Sequence, residues 1–114
     1  KNGTVVMQPE STAEFSDGVA VGGVHALVPV YGNVVTSFVA SDLKELGIEI
    51  GERFSLTAEG ETVAVLMGTD YGDVAVGDWV AFWNADGYLL VCRNYRDAVG
   101  SLGLNEASFL SIRP

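Results

Sequence analysis

Residues 79–94 read Trp79-Val80-Ala81-Phe82-Trp83-Asn84, then Ala85-Asp86-Gly87, then Tyr88-Leu89-Leu90-Val91-Cys92-Arg93-Asn94. Two apolar, aromatic-rich runs flank a polar turn that ends in Gly87, a pattern typical of a β-hairpin. The second run leads into Arg93-Asn94-Tyr95-Arg96, the densest cluster of hydrogen-bonding groups in the chain. We therefore expect this hairpin at the centre of a sheet, with a binding site at its far end.

Further β-type segments occupy most of the chain outside the hairpin. The clearest of them cover residues 4–7, 24–30, 33–39, 53–58, 62–67 and 108–113. Gly22-Gly23 is expected to break the chain before the second of these, and Pro29 marks an edge, a bulge or a strand end. A short helix is expected over 41–47, with Ser41 as its N-cap and Gly47 at its C-terminal end, and another over 96–102.

Strand spacings of roughly 8–12 residues are typical of small sandwiches and barrels. The sequence predicts an all-β fold, a small barrel-like antiparallel domain of about seven short strands with one or two short helices. A chain of 114 residues corresponds to one domain, 1–114. Within it we assign residues 1–23 to an N-terminal strand and loop, and 24–113 to the barrel core.

Composition excludes several classes of function. Hydrophobic residues make up 48% of the chain, enough for a core without disulfide or metal staples. The formal net charge of −9 repels nucleic acid and anionic membranes, so neither partner is expected. No apolar run is long enough to span a bilayer. The chain starts at Lys1 rather than Met, which fits either cleavage of an export signal or an engineered start in a cytoplasmic protein.

Few residues offer catalytic or metal-binding chemistry. His25 is the only histidine and is expected to be a buried core residue, and the lone Cys92 reads as a small buried hydrophobe. Asp70 and Asp73 favour a solvated turn that caps backbone N–H groups, with a binding loop as the alternative. Arg93 at the end of an apolar strand needs a partner, either a carboxylate such as that of Asp97 or a ligand. We expect no metal, no catalytic residue and no cofactor.

The chain nevertheless resembles a known family. An aromatic-Gly-Asn-x-x-Thr turn is matched at 31–36, a short "DLEKLG"-like helix at 42–47, and an aromatic-x-Asp-x-x-x-Gly loop at 71–77. A hairpin of the form "N-S-x-G-Y-L-x-I-A-x-N" is matched at 84–94, and a Leu-Gly-Leu at 102–104. In this order, over roughly 24–112, the motifs resemble the C-terminal domain of the S-adenosyl-L-methionine (SAM) hydroxide adenosyltransferases, which include the SAM-dependent chlorinase and fluorinase.

The resemblance implies a β-barrel-like domain in a homotrimer, where it completes an adenosyl pocket with the N-terminal domain of a neighbouring subunit. The implied reaction is attack of hydroxide or halide on the ribose C5′ of SAM, with release of methionine. SAM or adenosine is then the candidate ligand. The residues that the resemblance assigns to the adenosyl or nucleoside ligand are Tyr31, Asn33, Tyr71, Arg93, Asn94 and Tyr95.

The departures from the family pattern concern the methionine end of that pocket. Val28 replaces an aspartate of the family, and Ala85 replaces a serine of its hairpin turn. Charged and polar contacts would carry amino-acid recognition there, so these replacements argue against it.

Three hypotheses follow from this mixture of matches and departures. The first is a non-catalytic binding or assembly domain that holds a nucleoside-like ligand. The second is a fragment or subunit of a SAM hydrolase that needs a catalytic N-terminal domain. The third is a purely structural oligomerisation module, which would pair Arg93 with Asp97 and leave no open pocket.

Overall fold

The computed structural model describes residues 9–28 and 30–114, where strands are the predominant regular structure. The eight strands of this described part are β1 (Glu14–Ser16), β2 (Val19–Val28), β3 (Asn33–Thr36), β4 (Arg53–Ala58), β5 (Glu61–Met67), β6 (Trp79–Trp83), β7 (Leu89–Arg93) and β8 (Phe109–Arg113). Two short helices, α1 (Ala40–Leu46) and α2 (Ala98–Leu102), and a 3₁₀ turn over Tyr71–Asp73 lie in the connections.

Seven of the strands close into a barrel. Their order is β2-β3-β7-β6-β5-β4-β8, and β8 pairs back onto β2, while β1 adds to the outside of β2. Closure removes the exposed edges that an open sheet would present. The predicted all-β, barrel-like fold is confirmed.

Strand direction differs from the prediction at one pair. Every strand pair is antiparallel except β5–β6, which is parallel. A tight turn can only join antiparallel neighbours, whereas the long connection over residues 68–78 carries the chain back before β6 begins. The barrel is therefore mixed.

The hairpin of residues 79–94 is confirmed as β6–β7. Trp79 lies opposite Arg93, and Trp83 lies opposite Leu89. Because the barrel is closed, the hairpin is one of several strand pairs around the barrel and does not form the centre of a sheet.

Alternate residues of the strands point inward, so the core is built from both halves of the chain. Its fully buried members include Leu56, Val65, Leu89, Val91, Leu110 and Ile112.

Two local expectations are wrong. Gly22 and Gly23 do not interrupt the chain but lie inside β2, which begins at Val19. A Cβ atom at Gly22 would lie 2.8 Å from Ser37 Oγ, so the glycine permits close packing instead of breaking the strand.

The first helix begins earlier than expected. Ser41 is not its N-cap, because the N-cap is Val39, whose N–H donates to the buried Asp42 carboxylate at 2.9 Å. The strand expected at 4–7 and the role of Pro29 lie outside the described residues. Within the described ranges, neither helix is long and apolar enough to cross a membrane.

Candidate functional site

A cavity of about 730 Å³ opens at the end of the barrel where the β2–β3 turn, the 3₁₀ turn and the β7–α2 turn meet. All six residues that the sequence assigned to the ligand lie in its wall, although they come from three separate parts of the chain. Two further cavities, of about 340 and 360 Å³, lie elsewhere. The lining of the large cavity is Val30, Tyr31, Gly32, Asn33, Tyr71, Arg93, Asn94, Tyr95, Arg96 and Asp97.

The β2–β3 turn forms the first wall. The Gly32 N–H donates to the Val28 carbonyl at 2.8 Å, and Gly32 adopts a left-handed conformation with φ of 69°. The turn leaves Tyr31 71% exposed at the rim and places Asn33 at the buried start of β3. An exposed aromatic face thus stands beside a buried amide.

Asn33 and Tyr71 form the floor. The Asn33 amide nitrogen donates to the Tyr71 hydroxyl at 2.7 Å, and the Tyr71 ring packs edge-on against Phe82 at 5.1 Å between centroids. Partial burial, with the neighbouring Cys92 thiol as a smaller cause, raises the pKa of Tyr71. Asn33 is only 4% exposed, yet within the described chain nothing donates a hydrogen bond to its amide oxygen. The floor therefore holds a fixed, buried amide with a free acceptor.

Arg93 has partners that neither sequence alternative named. Its Nε donates to the Gly77 carbonyl at 2.7 Å and its Nη1 to the Ser101 hydroxyl at 3.1 Å. The guanidinium also lies 5.5 Å from the centroid of the Trp79 ring. Arg93 thus ties the loop before β6 to helix α2, and it borders the cavity as a fixed side chain.

Asn94 is likewise held by the loop before β6. Its side chain donates to the Val74 carbonyl at 2.9 Å, and its backbone bonds Gly77 and Asp78. Asn94 is buried, so it shapes the wall more than it offers free donors.

Tyr95 is held in an unusual backbone conformation. It occupies the left-handed region with φ of 56°, in a turn closed by the Arg96 N–H donating to the Arg93 carbonyl at 2.9 Å. Asp17 and Glu59 share this conformation, but each precedes a glycine in a two-residue hairpin turn that requires it. Tyr95 precedes Arg96 rather than a glycine, but it also lies in a two-residue turn, because Arg93 and Arg96 pair across it as an isolated antiparallel bridge. The turn accounts for the positive φ, and it leaves the Tyr95 side chain 80% exposed at the cavity mouth.

Four lining residues were not assigned from the sequence. Val30, Gly32 and Arg96 each neighbour an assigned residue in the chain, and Asp97 lies two positions after Tyr95, so proximity in sequence was the available signal. Part of the hydrogen-bonding capacity of Asp97 is already used, because its carboxylate caps α2 by accepting the Gly100 N–H at 3.0 Å.

The aspartates of the 3₁₀ turn behave as turn residues. The Asp73 carboxylate accepts the N–H groups of Thr69 and Asp70, and the Thr69 bond in particular holds the pKa of Asp73 below its ordinary value. Neither Asp70 nor Asp73 lines the large cavity.

His25 differs from its expected burial. It is exposed and stacks on Tyr88 with ring centroids 4.0 Å apart, and it lies at the irregularity in the β2–β3 register between Val24 and Ala26. In the described part of the chain, no group of three or more His, Cys, Asp or Glu residues is arranged to hold a metal ion.

The Cys92 thiol should be unreactive in the folded protein. It is fully buried, and burial raises its pKa from 9.0 to about 11, with the Tyr71 hydroxyl offsetting part of the shift. Since the thiolate is the nucleophile, we expect no measurable reaction with an aromatic disulfide reagent at pH 8, and rapid reaction in denaturant.

The same shift predicts a pH dependence of stability. The folded thiol keeps its proton to a higher pH than the unfolded one, so its contribution to stability is complete below pH 9. That contribution is lost as the pH rises towards about 11. Urea titrations of the wild type and Cys92→Ala at pH 8 and pH 10 measure the difference. Rapid labelling of the folded chain at pH 8 would contradict the burial.

Comparison with known protein families supports the resemblance that the sequence motifs indicated. The family profile of the SAM hydroxide adenosyltransferase C-terminal domain matches residues 27–110. A search of functionally curated proteins gives no match.

Solved structures share the fold. An uncharacterized conserved protein from Thermotoga maritima superposes with a TM-score of 0.83 at 18% identity, covering 97% of this chain and 41% of its own. A conserved hypothetical protein from Thermus thermophilus gives 0.59 at 25% identity, with 81% and 34% covered. This chain therefore spans less than half the length of either neighbour. On the strength of the profile match, the chain belongs to the family of SAM hydroxide adenosyltransferase C-terminal domains.

Proposed function

We propose that the large cavity binds an adenosyl or nucleoside-like ligand and that the chain acts as a non-catalytic binding and assembly domain. The observation that carries the proposal is the convergence of Tyr31, Asn33, Tyr71, Arg93, Asn94 and Tyr95 on one cavity. Its volume of about 730 Å³ falls in the range of small-molecule sites.

The rim suits the flat face of a base. Tyr31 and Tyr95 are 71% and 80% exposed at the same cavity, an unusual state for two large aromatic side chains in one small region. Stacking of a base on an aromatic side chain contributes about 1–3 kcal/mol. A planar ligand would bury both rings and account for their position.

The floor suits the polar edge of a base. Among the residues that the structure describes, none donates to the Asn33 amide oxygen, and the amide nitrogen makes one hydrogen bond, to Tyr71. An acceptor and a donor on one amide match the N6 and N7 edge of adenine. This pairing favours adenine over a base that lacks an exocyclic amine next to a ring acceptor.

The purely structural alternative is less well supported. It required Arg93 to pair with Asp97 and the pocket to be closed. Arg93 instead bonds Gly77 and Ser101, and the cavity is open.

A subunit or fragment of a SAM hydrolase is the second candidate. The same fold is found within solved chains that are more than twice as long, which leaves room for a catalytic domain beside it. Val30, 84% exposed at the rim with the two tyrosines, offers an apolar contact for such a domain or for a neighbouring copy in a trimer. In that arrangement the partner would cover the open side of the cavity.

A thermal-shift series with adenine, adenosine, SAM and methionine tests the proposal. Ligand at about 100 times its Kd adds roughly 2.7 kcal/mol to the free energy of unfolding. For a domain of this size that corresponds to a rise in Tm of roughly 10 °C. We expect adenosine to raise Tm and methionine to have no effect.

Two matched variants test whether the rise in Tm comes from adenosine bound in the large cavity. Tyr31→Ala should abolish the adenosine shift, while Phe109→Ala, which also removes a highly exposed aromatic ring but outside the cavity, should preserve it. An equal shift in wild type and Tyr31→Ala, or no shift with any compound, would refute nucleoside binding at this cavity.

A further inference from the structure

We propose that the ligand is a nucleoside carrying an anionic group, of the nucleoside monophosphate class, and that Arg96 binds this group. The inference rests on the proposed function, because it specifies what the nucleoside cavity selects. Arg96 lies in the lining beside Tyr95, in a position that the family motifs do not cover.

The charge of the cavity is opposite to that of the chain. The whole sequence has 15 acidic and 6 basic residues. The cavity lining contains two of the basic residues, Arg93 and Arg96, and one acidic residue, Asp97. One oxygen of the Asp97 carboxylate already accepts the Gly100 N–H that caps α2. A positive site in a strongly acidic protein concentrates anions against the overall field.

Arg96 has free capacity for an anion. Its Nη1 donates to the Tyr95 carbonyl at 2.8 Å, which fixes one edge of the guanidinium next to the Tyr95 turn. Within the described chain no carboxylate accepts a hydrogen bond from Arg96, and its side chain is exposed. A guanidinium has five N–H donors in a planar fork that matches a phosphate. Most of that fork faces no protein acceptor.

Arg93, in the wall of the same cavity, also favours an anionic ligand. Two of its nitrogens are committed to Gly77 and Ser101, so its charge stays in place at the cavity without needing a ligand for its position. Two guanidinium groups in the lining of one cavity favour an anion and disfavour the positive sulfonium of SAM. The cavity should therefore prefer a phosphorylated nucleoside to SAM.

Calorimetric titration of the chain with adenosine, adenosine 5′-monophosphate, ribose 5-phosphate and SAM tests the inference. We expect the monophosphate to bind at least tenfold more tightly than adenosine and SAM to bind more weakly than the monophosphate. The advantage of the monophosphate should shrink with added NaCl, because exposed charges are screened. Ribose 5-phosphate should bind much more weakly, since it lacks the base.

Arg96→Gln should remove the preference for the monophosphate and leave adenosine affinity within about twofold, since the stacking surface is unchanged. Arg113→Gln makes the same change of charge outside the cavity lining and should keep the preference.

Equal affinities for adenosine and its monophosphate would overturn the inference while leaving nucleoside binding intact. Ribose 5-phosphate binding as tightly as the nucleotide would also overturn it. Failure of both nucleoside and nucleotide to bind would instead refute the proposed function.

Discussion

Gly32→Ala should destabilise the fold by about 2–4 kcal/mol, corresponding to a fall in Tm of roughly 10 °C. An alanine Cβ would lie 2.8 Å from the Asp97 Cα and would also clash with the Asp97 Oδ1. The first contact is with backbone, so rotating a side chain cannot relieve it. The left-handed φ of 69° adds a cost of roughly 1–2 kcal/mol for any residue with a Cβ.

The substitution should also damage the cavity. The Gly32 carbonyl accepts the Val99 N–H at 2.9 Å, so pushing the β2–β3 turn away from Asp97 pulls on helix α2 and on the Tyr95 turn. Gly32→Ala is therefore expected to weaken adenosine binding as well as stability.

Gly18→Ala provides the matched control for this glycine. Gly18 has a φ of 77°, but a Cβ there would have no atom within 4 Å. Gly18→Ala should therefore lower the free energy of unfolding by the conformational cost alone, about 1 kcal/mol, and should leave ligand affinity unchanged. Chemical denaturation of the two variants measures both values. Equal losses in the two variants would show that the contact between Gly32 and Asp97 is looser than in the structure.

Thr36→Val should cost about 2–3 kcal/mol although it hardly changes the volume of the side chain. The Thr36 hydroxyl is fully buried, donates to the Leu89 carbonyl at 2.8 Å and accepts the Phe38 N–H at 3.1 Å. Valine leaves the Phe38 N–H without this acceptor in a site that water does not reach. The hydroxyl thus joins the end of β3 to the start of β7.

Thr57→Val tests whether burial is the cause. The Thr57 hydroxyl bonds that of Thr62 at 2.8 Å on an exposed face of β4 and β5, so water can replace it. We expect a change within about 0.5 kcal/mol, as for most surface substitutions. Urea unfolding of both variants measures the contrast. A loss below about 1 kcal/mol in Thr36→Val would mean that the buried N–H finds another partner.

Local pattern was sufficient for the elements with strong short-range signals. The hairpins of β4–β5 and β6–β7 lie where alternating or continuously apolar runs flank turns that contain glycine, and Gly47 and Gly103 end the two helices as expected. These features depend on residues within a few positions of one another. Sequence periodicity therefore identifies them.

Features set by distant contacts were not predictable in this way. The parallel β5–β6 pair depends on the path of residues 68–78, and Gly22 lies within a strand because the Phe38 ring packs against it. Propensity alone reads a glycine pair as a break, and tertiary packing overrides it.

The same distinction between short-range patterns and distant contacts applies to the site. The resemblance identified six of the residues that line the cavity, but not what holds them. Arg93 was expected to need a carboxylate or a ligand, and its partners are the Gly77 carbonyl and the Ser101 hydroxyl. Those groups approach Arg93 only because the loop before β6 and helix α2 converge on the end of β7. No spacing along the chain encodes that approach.

An amide correlation NMR titration of the isotope-labelled chain with adenosine would show whether the nucleoside binds in the large cavity. We expect chemical-shift changes concentrated in residues 30–33 and 93–97, with saturation at a single Kd. Amides lining the 340 Å³ cavity, such as those of Gly22 and Phe109, should stay unchanged. Shifts confined to that second cavity, or a spectrum unaffected by adenosine, would rule out nucleoside binding in the large cavity.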